Sequence, residues 1–364
     1  MKLTVEKDAL VAGLQRTQAV VGGKTTLPVL SNLLFCAEGE QLILTATDLE
    51  LTVRATIAAK VSKAGMTTLP AKRIVSIVRE MSGTLLEIDV GERDIATINC
   101  DAAEFRLNGI SAEDFPVLPV FEGGHPLVLE AARLKAMLQR VGYAASTDES
   151  RRELNGALMS FRANRLTIVA TDGKRLALAE HEMDVPKEAE ADAILPTKTV
   201  NELLRSIPET GNVRIQVSKN QAAFEGDGVT VISKLVEGTF PNYRQVIPSR
   251  SEQRVAIERE LFANAARRVA LVTSDESNSI KLTFAKNRVE ITASAPNVGE
   301  ARETVPLKYT GKEIAISFNP EYLSAPLRVL TSDEIYLELT DELSPAVMKA
   351  NEPFLYVLMP MRVS

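Results

Sequence analysis

The sequence is poor in the side chains that most often build catalytic and metal sites. Its two histidines, His125 and His181, stand far apart beside polar or proline residues. Its two cysteines, Cys36 and Cys100, form no Cys-x-x-Cys motif and have no neighbouring histidine. These spacings argue against a disulfide framework, a His-based catalytic pair and a metal site. We therefore expect no metal, no cofactor and no catalytic residue, and we interpret both cysteines as small core residues.

Long hydrophobic runs are also missing. No stretch of 18 apolar residues is present, and residues 1–6 enter an alternating pattern at once. This predicts neither a membrane span nor a signal peptide, and so a cytoplasmic protein with no membrane partner. At 364 residues, with 45% hydrophobic and 25% charged residues, the chain suits two or three soluble domains.

What the sequence does contain is one pattern in three copies, an apolar stretch ending in Ala-Thr or Ala-Ser before a turn. The copies are LTATDLEL at 44–51, IVATDGKRL at 168–176 and ITASAPNVG at 291–299. The equivalent residues Thr47, Thr171 and Ser294 lie 124 and then 123 residues apart. Strand-turn-helix patterns before and after each copy keep this period, which is typical of repeated structural units. The sequence therefore predicts three domains, 1–122, 123–249 and 250–364.

Each predicted domain combines two amphipathic helices with alternating strands. The helices are predicted at 7–20, 71–81, 131–143, 198–206, 259–271 and 320–330. Between them, alternating runs broken by turn residues indicate antiparallel hairpins. We therefore expect an α+β fold with the helices of each domain on one side of antiparallel sheets.

The charge is segregated between the helices and the rest of the chain. The net charge is −6, yet the predicted helices carry 14 Lys and Arg against 5 Asp and Glu, so they are net +9 and the remainder is −15. This favours a phosphate-binding surface over cations scattered on solvated helix faces. No aromatic platform or Asn/Gln-rich helix accompanies it, so base reading is not expected. The basic residues are Lys72, Arg73, Arg79, Arg133, Lys135, Arg140, Lys198, Arg205, Arg267 and Arg268.

Two stretches resemble active sites but fit one poorly. VGGKTT at 21–26 has Gln18 where a P-loop needs its first glycine, and it follows a helix, so Lys24 is better interpreted as a loop cation. Asp48 and Asp172 occupy repeat-equivalent positions, and we expect both to bind turn amides. A hydrolase centred on Asp172 and Lys174, or a peptide-binding scaffold without DNA affinity, are the alternative functions.

The C-terminal stretch FLYVLMPMRVS at 354–364 combines adaptable apolar residues around a proline. Methionine-rich surfaces suit varied apolar partners, and a closing core strand would account for half of these residues.

Several motifs together resemble the bacterial DNA polymerase III beta subunit, the sliding clamp, over the whole chain. They are LPVLSNLL at 27–34, TDLEL at 47–51, LNGALMSF at 154–161, TDGKRL at 171–176, SKLVEGTFPNYRQVIP at 233–248, SFNPEYL at 317–323 and MPMR at 359–362. The resemblance implies a DNA polymerase processivity factor without enzymatic activity. It implies three clamp domains per chain and a head-to-tail dimer ring whose helices line a hole for duplex DNA.

The resemblance also implies residue roles. DNA-contacting positions would include Lys24, Lys72, Arg73, Arg151, Arg152 and Lys198, although Asp148, Arg152 and Glu153 depart from the family's Gln and tyrosines. The dimer seam would join Phe105 and Leu107 to Leu271 and Val272 of the neighbour, with acidic residues reduced to Glu300 and Glu303.

A pocket between domains two and three would bind the short motifs of the polymerase alpha subunit, the clamp loader, and other polymerases and repair proteins. It would consist of Leu154, Thr171, Gly173, Lys174, Arg175, Leu176, Pro241, Val246, Asn319, Tyr322, Val357, Met359, Pro360, Met361 and Arg362. Lys174 replaces a common His, Gln245 a common Arg, and Val363-Ser364 extend the usual ending, so peptide preference would differ.

Overall fold

A computed structural model describes residues 1–22, 27–118, 121 and 123–362 of the chain. Within these residues the α-helices begin where the sequence predicts or one residue earlier. They are α1 (Lys7–Thr17), α2 (Ala71–Glu80), α3 (Ala131–Val141), α4 (Thr197–Ser206), α5 (Arg259–Val269) and α6 (Pro320–Leu327). Each repeat thus has two helices, as predicted. Lys24, Val363 and Ser364 lie outside the described residues.

The helix ends differ from the prediction for physical reasons. After α1, α3 and α5 the last predicted turn is a 3-10 turn, the tighter winding common at helix ends. Helix α6 stops at Leu327, three residues before the predicted end, and its last turn contains Pro326, which has no amide hydrogen for the helical hydrogen bonds. Amphipathic spacing fixes the buried faces: in α2, Ala71, Ile74, Val75 and Val78 point inward.

The described strands number nine in the first repeat and eight in each of the others. In the first repeat they are β1 (Lys2–Glu6), β2 (Asn32–Glu38), β3 (Gln41–Thr47), β4 (Leu51–Ala58), β5 (Lys60–Lys63), β6 (Gly65–Pro70), β7 (Leu85–Val90), β8 (Ile95–Cys100) and β9 (Ala103–Asn108). In the second they are β10 (Leu127–Glu130), β11 (Gly156–Arg162), β12 (Arg165–Thr171), β13 (Arg175–Glu182), β14 (Ala191–Pro196), β15 (Asn212–Val217), β16 (Gln221–Gly226) and β17 (Val229–Lys234). In the third they are β18 (Gln253–Glu258), β19 (Ile280–Ala285), β20 (Arg288–Ala295), β21 (Gly299–Pro306), β22 (Ile314–Phe318), β23 (Glu334–Leu339), β24 (Ala346–Ala350) and β25 (Phe354–Leu358).

The described strands form four antiparallel sheets, with strand orders β5-β1-β7-β8-β9, β10-β15-β16-β17-β4-β3-β2-β6, β14-β11-β12-β13-β25-β24-β23-β18 and β21-β20-β19-β22. The two eight-stranded sheets cross the repeat boundaries. Strand β17 of the second repeat pairs with β4 of the first, and β25 of the third pairs with β13 of the second. Each eight-stranded sheet is therefore half from one repeat and half from the next.

This sharing divides the chain into two compact units that do not follow the repeats. One consists of residues 1–135 and 198–235, the other of 136–197 and 236–364. Helices α1 and α2 pack together in the first unit, and α5 and α6 in the second. Both units have cores of alternating strand residues, such as Leu86 and Ile88 of β7, which are fully buried.

The cysteines take structural positions. Cys100 is buried, Cys36 is half-buried, and both are free thiols. Burial raises the pKa of the Cys36 thiol. Among the described residues no group of His, Cys, Asp or Glu could hold a metal ion, and no helix combines the length and apolar character needed to cross a membrane.

Candidate functional site

The turn between β12 and β13 is held by its own polar side chains. Asp172 Oδ1 accepts hydrogen bonds from the amides of Lys174 (2.8 Å) and Arg175 (3.0 Å), and Thr171 Oγ1 accepts one from the Gly173 amide (3.1 Å). Gly173 has φ +87°, a conformation that glycine adopts without steric cost. The expectation that Asp172 binds turn amides is confirmed, so this carboxylate has a structural role.

The repeat-equivalent turn between β3 and β4 is built in the same way. Asp48 Oδ1 accepts from the amides of Glu50 (3.0 Å) and Leu51 (2.7 Å), which confirms the second structural carboxylate. Asp48 also pairs with Lys198 from the first turn of α4. Burial raises the pKa of Asp48, but the hydrogen bond from Lys198, the two turn amides and the charge of Lys198 together hold it below its usual value.

The Arg175 side chain points into the protein. Its Nε lies 3.1 Å from Asp172 Oδ2, its Nη2 donates to the Tyr143 carbonyl oxygen (2.7 Å), and its Cζ lies 4.4 Å from the centroid of the Tyr322 ring. Only 12% of the side chain is exposed. Arg175 therefore fixes the turn against α6 through an ion pair and a cation-π contact, and Lys174 is the exposed cation of the turn.

Two tyrosines with buried hydroxyl groups, Tyr143 and Tyr356, lie beside Arg175. The Tyr356 hydroxyl donates to the Tyr322 carbonyl oxygen (2.7 Å), and the rings of Tyr143 and Tyr356 lie 6.0 Å apart. Burial raises the pKa of both hydroxyls, so they stay neutral. The sequence analysis missed both residues; in retrospect, Tyr356 follows the alternation of the last strand, which sends it inward.

An apolar cluster lies beneath the turn. Its buried members are Leu154, Leu158, Val169, Leu176, Leu178, Ile194, Phe240 and Val357. Three of the predicted pocket residues, Leu154, Leu176 and Val357, thus form one continuous floor. Above it, Val246, Met359 and Met361 remain 51%, 43% and 37% exposed.

The chain after β25 is anchored beside the turn by its backbone. The Met359 amide donates to the Lys174 carbonyl oxygen (3.0 Å), and the Met361 amide donates to that of Ser317 (2.7 Å). Asn319 caps α6 by accepting from the Tyr322 amide (3.2 Å). Pro360 and Arg362 belong to the same terminal segment, which is thereby positioned along the turn and α6.

Val246 and Met359 line a groove of about 540 Å³. It is lined by Gln245, Val246, Ile247, Pro248, Ser249, Arg250, Thr340, Ser344, Pro345 and Met359. The sequence analysis did not include Thr340, Ser344, Pro345 or the neighbouring Leu343, which is 64% exposed. Leu343 could have been noticed in the sequence, because it is an apolar residue within a polar turn. That turn begins at Asp341, whose Oδ1 accepts a hydrogen bond from the Leu343 amide (2.8 Å).

The described cations among the predicted DNA-contacting residues fall into three groups. Within the described residues no carboxylate pairs with six exposed ones, Lys72, Arg73, Arg79, Arg133, Arg152 and Arg267. Four others pair with acidic residues: Lys135 with Glu209, Lys198 with Asp48, Arg205 with Glu202 and Arg268 with Glu303. Because no carboxylate within ion-pair distance neutralises them in the described part of the chain, the first six are the more available to an external phosphate.

Two further cations are engaged by other groups of the protein, Arg140 with little exposure and Arg151 at the surface. Arg140 forms an ion pair with Glu352, and the two side chains are only 13% and 12% exposed. Arg151 donates to the Asp172 carbonyl oxygen (2.9 Å) and lies 3.6 Å from Asp148. Only 13% of the Arg140 side chain is exposed, so it is less available to an external phosphate than the exposed cations, and its role in DNA binding stays a prediction.

A second groove, of about 480 Å³, lies between helices of the first unit. Gln15 and Gln18 from α1 and the turn after it, Lys72 from α2 and Arg205 from α4 line it. These cations and amides offer donors to an anion, without an aromatic surface on which a base could stack.

The repeated helix pairs, the shared antiparallel sheets, the basic helices and the apolar groove define a clamp-type accessory protein. Three family models match in series: the N-terminal domain of the DNA polymerase III beta subunit at 1–119, its central domain at 128–242 and its C-terminal domain at 244–362. The beta sliding clamp of Chlamydia muridarum is 32% identical over 100% of this chain and 99% of its own length.

Solved structures agree with this match. The sliding clamp of Pseudomonas aeruginosa bound to griselimycin has a TM-score of 0.95 at 31% identity, and that of Bartonella birtlesii bound to griselimycin has 0.94 at 33%. Each comparison covers 100% of both chains. The chain belongs to the DNA polymerase III beta-subunit family and is a sliding clamp, a processivity factor for DNA polymerase.

Proposed function

We propose that two copies of this chain close head to tail into a ring around duplex DNA in the cytoplasm. The ring would hold DNA without regard to sequence through the basic helices, and would tether the polymerase alpha subunit, the clamp loader and other motif-bearing polymerases and repair proteins at the apolar groove. In this role the chain tethers its partners and performs no chemistry on them.

The dimer proposal rests on a strand pairing that occurs at both junctions between repeats. The strands that would make a third such pairing lie at sheet edges in the described part of the chain. In β4-β17 and β13-β25, the third residue of one strand faces the third of the other: Val53 faces Val231, and Ala177 faces Tyr356. The remaining counterparts, β9 and β21, stand at sheet edges. The same register between two copies would place Phe105 opposite the partner's Ala301 and satisfy both edges.

Exposed apolar residues at these edges support the same arrangement. Phe105 on β9 is 40% exposed, and Leu271, in the turn after α5, is 78% exposed. Leu107 and Val272 are half-buried beside them. Covering such residues on association would favour the dimer.

The unpaired cations support sequence-independent DNA binding. Lys72, Arg73, Arg79, Arg133, Arg152 and Arg267 would attract phosphates, with Lys135, Lys198, Arg205 and Arg268 contributing less because each is paired. Diffuse phosphate contacts suit a ring that moves along DNA, since they are equivalent at every base pair.

The groove of the second unit suits a short peptide with apolar side chains. Val246 and Met359 supply exposed apolar sides, the buried cluster with Leu176 and Val357 packs against Ile247 of the groove, and Lys174 of the neighbouring turn would offer a cation to an acidic group. A firm backbone under flexible methionines allows several partner sequences to fit.

Loading on circular DNA tests this function. The purified chain, loaded by its clamp loader, should stay on nicked circular DNA and leave after linearisation. Equal retention on both DNAs would contradict a ring. Charge reversal at Arg73, Lys198 and Arg267 should abolish loading and leave peptide affinity unchanged, whereas a peptide scaffold without DNA affinity would be indifferent to it.

A further inference from the structure

The first junction between repeats is closed by an ion pair beside the shared strands. Arg16 Nη2 lies 3.0 Å from Asp227 Oδ2, and Arg16 Nη1 donates to the Asp227 carbonyl oxygen (3.2 Å). Next to it the Thr56 amide of β4 donates to the Gly228 carbonyl oxygen (2.8 Å). The turn before β17 is thus held both by a helix cation and by the neighbouring strand.

The second junction repeats this arrangement. Arg140 pairs with Glu352 in the turn before β25, and the Glu180 amide of β13 donates to the Pro353 carbonyl oxygen (3.3 Å). Glu352 Oε1 also accepts from the hydroxyls of Thr331 (3.1 Å) and Ser332 (3.0 Å). The second ion pair is therefore the more buried version of the first.

The positions of the two pairs are equivalent in the repeat. Arg16 and Arg140 are each the tenth residue of an eleven-residue helix, α1 and α3. Asp227 and Glu352 each stand two residues before the strand that crosses the junction, β17 and β25. Each of the two junctions therefore includes an ion pair between a helix arginine and a turn carboxylate.

The third repeat-equivalent pair of charged residues is present, but no ion pair joins the two among the described residues. Arg268 is the tenth residue of the eleven-residue helix α5, and Asp101 stands two residues before β9. Asp101 has φ +50°, close to the +48° of Asp227, and its side chain is exposed. No cation pairs with Asp101 among the described residues, whereas Arg268 pairs with Glu303 of β21 through its Nε (3.0 Å).

We propose that Asp101 forms an ion pair with Arg268 of the partner subunit, as the third copy of the junction pair. This rests on the proposed head-to-tail dimer and adds a residue-specific contact to it. The partner's Thr304 amide would donate to the Ala102 carbonyl oxygen, as Thr56 and Glu180 do at the first two junctions. Arg268 then bridges Glu303 and Asp101 at the seam, which leaves it less available for a DNA contact.

A double-mutant cycle on the full chain tests the contact. The dimer dissociation constant would be measured by sedimentation and by dilution of fluorescently labelled protomers for the wild type, Asp101→Ala, Arg268→Ala and the double variant. We expect each single variant to raise the constant about five- to tenfold, and the double variant to raise it by hardly more than either alone. Arg267→Ala, a neighbouring cation that hydrogen bonds only Asn264 in the described part of the chain, is the matched control and should show no coupling to Asp101.

The outcomes separate this contact from the dimer itself. Fully multiplicative effects of Asp101→Ala and Arg268→Ala would overturn the ion pair and leave the dimer in place. A wild-type chain that stays monomeric at all concentrations would overturn the dimer. Circular dichroism of the Asp101→Ala monomer should match the wild type, because this side chain is exposed.

Discussion

The junction between β4 and β17 and that between β13 and β25 share a backbone plan but differ in chemistry. At the first, the turn carboxylate of Asp48 pairs with Lys198 from the next helix, a contact between two charges at the surface. At the second, Arg175 of the turn lies 4.4 Å from the Tyr322 ring of the equivalent helix. The comparison teaches that exchanging a few side chains changes the surface of a repeated architecture with no change in strand register.

The two junction ion pairs differ most in burial, and breaking them should show the largest contrast. Arg140→Ala would leave the Glu352 charge buried, since that side chain is 12% exposed, and should cost about 3–5 kcal/mol of unfolding free energy. Arg16→Ala removes a pair exposed by 34% and 62%, and should cost less than about 1 kcal/mol. Urea unfolding followed by circular dichroism measures both; equal losses would contradict the assigned difference in burial.

Peptide binding should distinguish the junctions next. Joint replacement of Val246 and Met359 by alanine removes two exposed apolar side chains from the 540 Å³ groove of the second unit, and should lower affinity at least about tenfold. The control is Val117→Ala, because Val117 is a 98% exposed valine in a groove of the first junction. Fluorescence anisotropy with a labelled peptide from the clamp-binding segment of the polymerase alpha subunit reports affinity. An equal loss in the control would show that the peptide does not prefer the second junction.

Local patterns predicted the helices and turns because those depend on short-range chemistry. The spacing of Leu10 and Leu14 and the carboxylates of Asp48 and Asp172 act within a few residues, and the structure agrees with them. The burial of Arg140 could not be predicted in this way. Its partner Glu352 is distant in sequence, and only the pairing of β25 with β13 brings the two together.

The surroundings of Arg175 could not be predicted for the same reason. The sequence indicated a turn with three charged residues, and both Lys174 and Arg175 were expected at a peptide-binding pocket. Tyr143 and Tyr322, which surround the guanidinium, come from different repeats and approach it only through the fold. The repeat pattern therefore does not predict the direction of a side chain that makes contacts across the fold.

Giving the turn of the first junction the glycine found in the second should have a smaller effect on the unfolding free energy, and should raise it. Leu49 has φ +78°, a conformation costly for leucine, where the second junction has Gly173 at +87°. Leu49→Gly removes this strain and should raise the unfolding free energy by about 0.5–1 kcal/mol after the entropic cost of glycine. Thermal unfolding would measure the gain. The reverse change, Gly173→Leu, should destabilise, because a leucine at φ +87° is strained whatever the space around it; a stabilising result there would contradict the strain assignment.

The smallest effect is expected for Lys198→Ala, which removes the charge pair special to the first junction. Lys198 is 51% exposed, so the loss of unfolding free energy at neutral pH should stay below about 1 kcal/mol. Because the pKa of Asp48 lies below its usual value in the folded chain, its stabilising contribution is present above the unfolded pKa, about 3.9, and is lost as pH falls through the folded value. The difference between wild type and Lys198→Ala should therefore shrink as the pH is lowered from 7 toward 3. Urea unfolding at several pH values checks this, with Lys72→Ala as the unpaired control; a difference that grows in acid would contradict the ion pair.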